Sequence, residues 1–208
     1  MAMACRDEEP RPVPAPGRLH LHGRDDAQRA EVEQFIRSVY AERFGAVLRR
    51  FAPQLVSLRD ADGRITAAAG YRSAAADTLF LERYLDEPVQ AALGRHAGQP
   101  PARAGVVEVG HLAAGRAGEG RRLILLLGPH LAAQGCQWVV STLTEELRAL
   151  FVRIGVTPLA LGRADAAMLG AEAADWGDYY AHHPVVLAGH LPLALRRLAR
   201  RIAQEQGA

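Results

Sequence analysis

Lysine is absent from this sequence of 208 residues, so all 25 of its basic residues are arginines. Its absence excludes Schiff-base chemistry and a lysine-dependent phosphate-binding loop. The two cysteines, Cys5 and Cys136, are too few for a disulfide framework and lack the spacing of zinc ligands. A formal net charge of +2 gives no indication of nucleic-acid binding. The composition therefore predicts neither a metal centre nor a nucleic-acid partner.

Long apolar runs are also missing, because no stretch approaches the roughly 18 residues of a membrane-spanning helix. Residues 1–17 combine charges with repeated prolines and have no apolar core, so they do not resemble a signal peptide. We therefore predict that residues 1–18 form a disordered arm. The rest of the chain is long enough to bury a core. These features predict a soluble protein of the reducing cytoplasm, without integral membrane association.

The first half of the chain predicts a helix followed by antiparallel strands. Asp25 or Asp26 can cap a helix whose apolar residues recur at spacings of three and four. The segments 53–59 and 64–71 flank an Asp-Gly turn and are typical of a hairpin. Residues 78–85 are ambiguous between strand and helix.

The central segment, residues 106–158, is the most informative part of the chain. An apolar strand at 106–114 leads through a glycine-rich turn at 115–120 into a helix. A second strand follows at 137–141, and residues 142–145 fit a capping box that opens the next helix. Two strands joined by a helix predict parallel strands with a right-handed crossover and a ligand beyond the strand ends. The first helix N-terminus can bind an anion, although the same glycines also fit a surface turn.

The C-terminal part concentrates aromatic residues, which form only 6% of the sequence, in the segment 176–184. A strand at 157–161 and a short helix at 165–174 are predicted before it, and a strand at 185–188 after it. The last helix, residues 191–208, carries leucines opposite arginines. This pattern fits a helix docked on the sheet and also a helix lying on an anionic bilayer.

The order of these elements resembles the GNAT acyltransferase superfamily and its acyl-homoserine lactone synthase relatives. Four segments are more specifically similar to the thermostable hemolysin family: residues 79–85, 107–113, 138–144, and Trp176 to Tyr180 with Pro184. The resemblance implies an α+β fold of three layers, with helices on both faces of a mixed, mostly antiparallel twisted sheet. A splayed pair of parallel strands would admit the pantetheine arm of an acyl donor. Residues 19–190 would form this domain and residues 191–208 an amphipathic C-terminal helix.

The resemblance further implies that the phosphates of acyl-CoA, or of an acyl carrier protein, bind at the turn before the crossover helix. Solvated arginines near a helix start are the alternative interpretation of this turn. The residues assigned to the donor are Gly115, Arg116, Gly118, Gly120, Arg121, Arg122 and Thr142.

Acyl transfer to an amine needs a base, donors for the developing oxyanion and a proton for the leaving thiol. Glu108, on the central strand, is the first candidate for the base, because apolar neighbours would raise its pKa. Glu82 is the second candidate, as a carboxylate that holds the substrate amine. The alternatives for Glu108 are a side chain that faces solvent or one that pairs with an arginine, and the alternative for Glu82 is a structural salt bridge. His111, which stands where the hemolysin-like pattern has asparagine, is either a proton relay or a packing residue.

Phe151 occupies the position where many GNAT enzymes carry a tyrosine general acid, and phenylalanine cannot donate a proton. Tyr179 is a candidate replacement for that acid. Trp176, Tyr180 and Arg148 are candidates for substrate binding, and core packing is the alternative for the aromatic residues.

We therefore predict an acyltransferase that moves an acyl group, a fatty acyl group being one option, from a CoA or carrier-protein thioester to a small amine or amino acid. Two alternatives belong to other classes. One is a membrane-active, hemolysin-like protein acting through the basic C-terminal helix. The other is a GNAT-like module that binds a partner without catalysis.

Overall fold

The computed structural model describes residues 17–206, with side chains as far as residue 200. Apart from its last two residues, the predicted disordered arm of residues 1–18 lies outside the described part of the chain. The strands are β1 (His20–His22), β2 (Gln54–Arg59), β3 (Ile65–Ser73), β4 (Val106–Ala114), β5 (Trp138–Leu143), β6 (Leu159–Arg163) and β7 (Val185–His190). The α-helices are α1 (Arg29–Phe44), α2 (Val89–Ala97), α3 (Glu119–Ala133), α4 (Glu145–Arg153) and α5 (Leu191–Gln206). Three 3-10 helices cover Phe80–Tyr84, Arg103–Gly105 and Ala166–His182.

The seven strands form one sheet in the order β1-β2-β3-β4-β5-β7-β6. Neighbouring strands are antiparallel except for β4 and β5, which are parallel and are joined through α3. This arrangement confirms the predicted mixed, mostly antiparallel sheet with a single parallel pair.

The two parallel strands part soon after they meet. They pair at only three positions, which are Val106 with Trp138, Val107 with Val139 and Glu108 with Val140. Beyond Glu108, β4 continues along β3 and β5 continues along β7, so each strand has one edge without a partner strand. A shift in the β3–β4 register and a φ of 54° at His111 mark a bulge that bends β4 at this point.

Alternation along β4 sends its side chains into two different layers. Val107 and Val109 pack with leucines of α3 and α5 on one face of the sheet. Val106 packs on the other face with the 3-10 helix Phe80–Tyr84 and with α2. Helix α1 covers β3 and β4, and its apolar stripe buries Val32, Ile36, Tyr40 and Phe44. Because Glu108 follows Val107, it lies on the face that α1 and the 3-10 helices cover.

The structure corrects the sequence-based boundaries at two elements and settles one ambiguity. The ambiguous residues 78–85 contain a 3-10 helix. The capping box predicted at 142–145 is wrong, since Thr142 pairs with Val186 inside β5 and α4 begins only after Thr144. Asp165 does cap the following helix, by accepting a hydrogen bond from the backbone N–H of Ala167, but that 3-10 segment runs far beyond residue 174.

The long 3-10 segment, Ala166–His182, bends at two glycines. Gly170 and Gly177 have almost identical backbone angles, with φ of 57° and 51° and ψ of −130° and −129°. A Cβ at Gly177 would lie 2.0 Å from the carbonyl oxygen of Phe44. Gly177 therefore allows this segment to pack directly on the C-terminal end of α1.

Candidate active site

A cleft of about 410 Å³ lies where β4 and β5 part, on the face of the sheet that α1 covers. We call it the polar cleft. β4 contributes Glu108, Gly110 and His111, and β5 contributes Thr142. The cleft brings together five of the site residues predicted from the sequence, which are Glu108, His111, Thr142, Trp176 and Tyr179.

Glu108 is held at the wall of the cleft by the start of a 3-10 helix. Its two carboxylate oxygens accept hydrogen bonds from the backbone N–H groups of Phe80 and Leu81, at 2.9 and 3.0 Å. The guanidinium of Arg72 lies 3.4 Å from the same carboxylate. Burial raises the pKa of Glu108, and these hydrogen bonds and the arginine offset only part of that rise. The result is a positioned carboxylate with an increased affinity for a proton.

His111 adopts a left-handed backbone conformation in the bulge of β4, with φ of 54°. Histidine is among the non-glycine residues that are enriched in this conformation. The Nε2 atom donates to the carbonyl oxygen of Arg50 at 3.2 Å, so Nδ1 carries the lone pair. That Nδ1 atom is buried and has no hydrogen-bond partner. Burial lowers the pKa of His111 to about 4, and the imidazole is therefore neutral near pH 7.

Two stacked tyrosines, Tyr40 and Tyr179, stand at the deep end of the cleft with ring centroids 6.4 Å apart. The hydroxyl of Tyr179 donates to the carbonyl oxygen of Thr142 at 3.1 Å. No hydrogen bond of the Tyr40 hydroxyl is found within residues 17–200. Burial raises the pKa of both phenols, so both remain protonated at neutral pH. Sequence reasoning missed Tyr40, because it fits the apolar stripe of α1.

Glu82 lies outside the cleft and has a structural set of partners. Its carboxylate accepts from the backbone N–H groups of Leu79 and Val89, both at 2.8 Å. The guanidinium of Arg103 donates to it at 2.8 and 3.1 Å. Burial raises the pKa of Glu82, but the hydrogen bonds from Arg103 and the two backbone groups outweigh it and lower the pKa overall. Glu82 thus joins a 3-10 helix, α2 and Arg103.

Two other predicted substrate-binding residues also lie away from the cleft. The hydroxyl of Tyr180 is 2.5 Å from the hydroxyl of Tyr84, and the two phenols satisfy each other. Arg148 donates to the carbonyl oxygen of His183 at 3.3 Å, which connects α4 to the end of the long 3-10 segment. In the part of the chain that the structure describes, no cluster of His, Cys, Asp or Glu could hold a metal ion.

The predicted phosphate-binding turn has main-chain donors but little free positive charge. Gly118 is the N-cap of α3, with φ of 87°, and the N–H groups of Gly120 and Arg121 make no hydrogen bond to other described residues. Arg116 and Arg122 lie 3.4 and 3.5 Å from neighbouring carboxylates. Among residues 17–200, the exposed side chain of Arg121 has no such partner.

Two further spaces adjoin the parted strands. A channel of about 50 Å³ runs between α1, β4 and α4 and reaches Gly120 at the start of α3. An apolar cavity of about 100 Å³ lies on the opposite face of the sheet, among α3, α4, α5 and β7, and Phe151 forms part of its wall. Leu112 and Ile124 line both the channel and the cavity, and Tyr40 and Tyr179 line both the channel and the polar cleft. The three spaces are therefore neighbours around the parted strands, separated by these shared side chains.

Several solved acyltransferase structures share this fold at low sequence identity. The CoA-dependent acyl-homoserine lactone synthase BjaI, solved with SAM and isopentyl-CoA, has a TM-score of 0.61 and 12% identity, with 89% of each chain covered. FeeM, an N-acyl amino acid synthase from uncultured soil microbes, has a TM-score of 0.58 and 13% identity over 86% of this chain and 98% of its own. The acyl-homoserine lactone synthase LasI has a TM-score of 0.57 and 12% identity over 83% and 89%.

These identities are too low to carry an activity over, and they establish the fold alone. No curated protein sequence matches this chain. The sequence profile of one family, described as thermostable hemolysin, matches residues 22–195. That match covers most of the chain, including strands β2 to β7 and the whole polar cleft. The chain belongs to the thermostable hemolysin family.

Proposed function

We propose that this protein is an N-acyltransferase that moves an acyl group from a thioester of CoA or an acyl carrier protein to a small amine. The observation that carries the proposal is the parting of β4 and β5, with three neighbouring spaces around the gap. A polar cleft suits an amine, a narrow channel suits the pantetheine arm, and an apolar cavity suits an acyl chain.

The donor would enter through the channel with its phosphate end at the start of α3. There the free N–H groups of Gly120 and Arg121 are available to a phosphate, and Arg121 adds an uncompensated charge. The acyl chain would occupy the apolar cavity, whose walls consist of leucine, valine and isoleucine with Phe151. This placement favours a donor with an apolar acyl chain, and it gives Phe151 the role of contacting that chain.

The reaction forms a carbon–nitrogen bond and breaks a carbon–sulfur bond. Glu108 accepts a proton from the amine as its nitrogen attacks the thioester carbonyl, and its raised pKa is suited to that task. Main-chain groups of β4 beyond Glu108, which have no partner on the β5 side, are available to the developing oxyanion. The thiolate leaves with a proton from Tyr40, whose hydroxyl is uncommitted, rather than from Tyr179. The products are an amide and a free thiol.

The two alternative functions have less support. A membrane-active helix would need its leucine face free, whereas Leu191, Leu195 and Leu198 of α5 line the apolar cavity. None of the helices within residues 17–206 is both long and apolar enough to span a bilayer. A module without catalysis would be favoured by a closed cleft, whereas the polar cleft is open.

The test is turnover of a long-chain acyl-CoA with a mixture of amines and amino acids, followed as thiol release and as amide products by mass spectrometry. We expect Glu108→Gln to fold normally and to lose about 10²–10⁴-fold in turnover, the usual contribution of a general base. In the wild type, the rate should rise with pH through a pKa above that of an ordinary glutamate, because only the deprotonated carboxylate acts as the base.

Glu42→Gln is the matched control, since Glu42 is exposed on α1 and lines none of the three spaces. Unchanged turnover in Glu108→Gln would remove Glu108 as the base. Absence of thiol release with every acceptor, together with leakage of liposomes by the intact protein, would support the membrane-active alternative instead.

A further inference from the structure

The loop between α1 and β2, residues 45–53, forms one wall of the polar cleft and is fixed from several sides. Arg29 donates to the carbonyl oxygens of Ala52 and Pro53 at 2.8 and 3.0 Å. The remaining contacts are Arg37 to the carbonyl oxygen of Leu48, Val47 N–H to the carbonyl oxygen of Asp175, and His111 to the carbonyl oxygen of Arg50. Arg50 is therefore presented to the cleft by a backbone that is held in place.

The other guanidinium groups that line the cleft are already paired. Arg49 forms two hydrogen bonds with the carboxylate of Asp175, at 2.7 and 3.0 Å. Arg72 lies 3.4 Å from the carboxylate of Glu108. By contrast, the side chain of Arg50 lines the cleft and has no hydrogen bond or ion pair within residues 17–200. The hydrogen bond from Arg83 lowers the pKa of the nearby Glu172, and the charge of Arg50 adds to that effect. Because the carboxylate of Glu172 is hydrogen-bonded to Arg83, the N–H donors of Arg50 remain available to a ligand.

The cleft also contains acceptors that could receive an amino group. The carboxylate of Asp77 lines it and accepts a hydrogen bond only from the adjacent backbone N–H of Thr78, with no cationic partner among the described residues. The buried Nδ1 atom of His111 is a further acceptor without a donor. Glu108 lines the same space. A guanidinium with free N–H donors, two carboxylates and one unpartnered imidazole nitrogen match a ligand that carries both a carboxylate and an amine.

We propose that the acceptor is an α-amino acid whose carboxylate is bound by Arg50 and whose amino group is received by Glu108, Asp77 and the Nδ1 atom of His111. Phe51, Phe80 and Trp176 form aromatic walls of the same cleft, which favours an apolar or aromatic side chain on the acceptor. This inference rests on the proposed acyl transfer, and it makes Arg50 the residue that selects amines bearing a carboxylate.

The test compares two matched acceptor pools with a long-chain acyl-CoA as the donor: the proteinogenic L-amino acids and the corresponding L-amino acid amides. We expect the wild type to acylate the acid pool at least about tenfold faster, because an arginine left without its carboxylate forfeits a charge-assisted hydrogen bond. Arg50→Met should lower turnover of the acids and leave that of the amides unchanged, which brings the ratio close to one. Arg50→Lys should retain part of the preference, since lysine keeps the charge without the bidentate geometry.

Arg49→Met is the matched control, because Arg49 is the neighbouring arginine and is already paired with Asp175. It should keep the acid preference. Binding gives a readout that is independent of turnover: L-phenylalanine should change the fluorescence of Trp176 in the wild type, and L-phenylalaninamide should need at least about tenfold more ligand for the same change.

The outcomes separate this inference from the proposed function. Two results would overturn the role of Arg50 and leave acyl transfer intact. One is equal formation of acylated products from the amino acids and from the amino acid amides. The other is a preference for the amino acids that survives Arg50→Met. Absence of any acyl product from either pool would overturn both proposals.

Discussion

Gly110 allows the polar cleft to be closed while the fold is left intact. It lies in β4 just beyond the last position paired with β5, and a Cβ built on it meets no atom within 4 Å. Its φ lies outside the left-handed region, so an L side chain is accommodated without strain. Valine is favoured over glycine in strands by up to about 1 kcal/mol. Gly110→Val should therefore be as stable as the wild type or slightly more stable.

Its catalytic effect should be large, because the added methyl groups would project into the cleft where the amine has to meet the thioester. Displacing reacting groups by about 1 Å costs about 100-fold in rate, or about 2.7 kcal/mol of activation free energy. We expect kcat/KM for acyl-CoA aminolysis to fall by at least this factor. The melting temperature should stay within about 4 °C, the shift that 1 kcal/mol produces in a domain of this size.

The measurement pairs thiol release with thermal unfolding monitored by circular dichroism. Gly70→Val serves as the comparison, because its Cβ would lie 2.9 Å from that of Ala52 and 3.0 Å from Nδ1 of His111. Such overpacking costs about 1–3 kcal/mol, so this variant should lose stability as well as activity. Wild-type turnover by a folded Gly110→Val variant would refute the placement of the reaction beside Gly110.

Three further predictions concern residues around the cleft. Tyr40→Phe should reduce kcat by about 10²-fold or more and leave the free energy of unfolding unchanged. Tyr179→Phe should mainly reduce the free energy of unfolding, by about 1 kcal/mol, because of the two tyrosines only Tyr179 has a hydrogen bond to another described residue. A larger loss of kcat in Tyr179→Phe than in Tyr40→Phe would exchange their roles. Glu82→Ala should cost about 2–4 kcal/mol at pH 7, since it removes the carboxylate partner of Arg103 and leaves two backbone N–H groups unpaired. Because folding lowers the pKa of Glu82, its contribution to the free energy of unfolding is present above the ordinary glutamate pKa and is lost as the pH falls. In urea unfolding below about pH 4, the difference in stability between the wild type and Glu82→Ala should therefore be smaller. Gly177→Ala should be more destabilising than Gly170→Ala by about 1–3 kcal/mol in the same assay. The two glycines share a backbone conformation, but only a Cβ at Gly177 would meet a carbonyl oxygen, that of Phe44. Equal losses of stability would contradict the close approach of Gly177 to α1.

Local patterns in the sequence were sufficient to predict most elements and their order. The strand at 106–114 was predicted with the boundaries of β4, and the helix predicted to start at residue 191 begins there. These successes have a common reason: periodicity, caps and turn residues act between neighbours in the chain. The capping box at 142–145 was predicted wrongly because pairing with β7, a contact between distant segments, extends β5 past Thr142.

The candidate site shows the same division between near and distant neighbours. Glu82 and Glu108 each accept hydrogen bonds from two backbone N–H groups and lie beside an arginine, yet only Glu108 lines the cleft. The sequence pattern does not distinguish Tyr40 from a core residue of α1, and it does not distinguish Arg50 from the other exposed arginines. Each assignment depends on partners tens of residues away in the chain.

The sequence by itself thus determined the kind of sheet, the order of its elements and a short set of polar residues on the central strand. The tertiary structure alone decided where β4 and β5 part and which of those residues face the resulting space. Strand separation follows from how far each strand pairs with its other neighbour and from the bulge at His111, and both depend on contacts made only when the whole sheet has assembled.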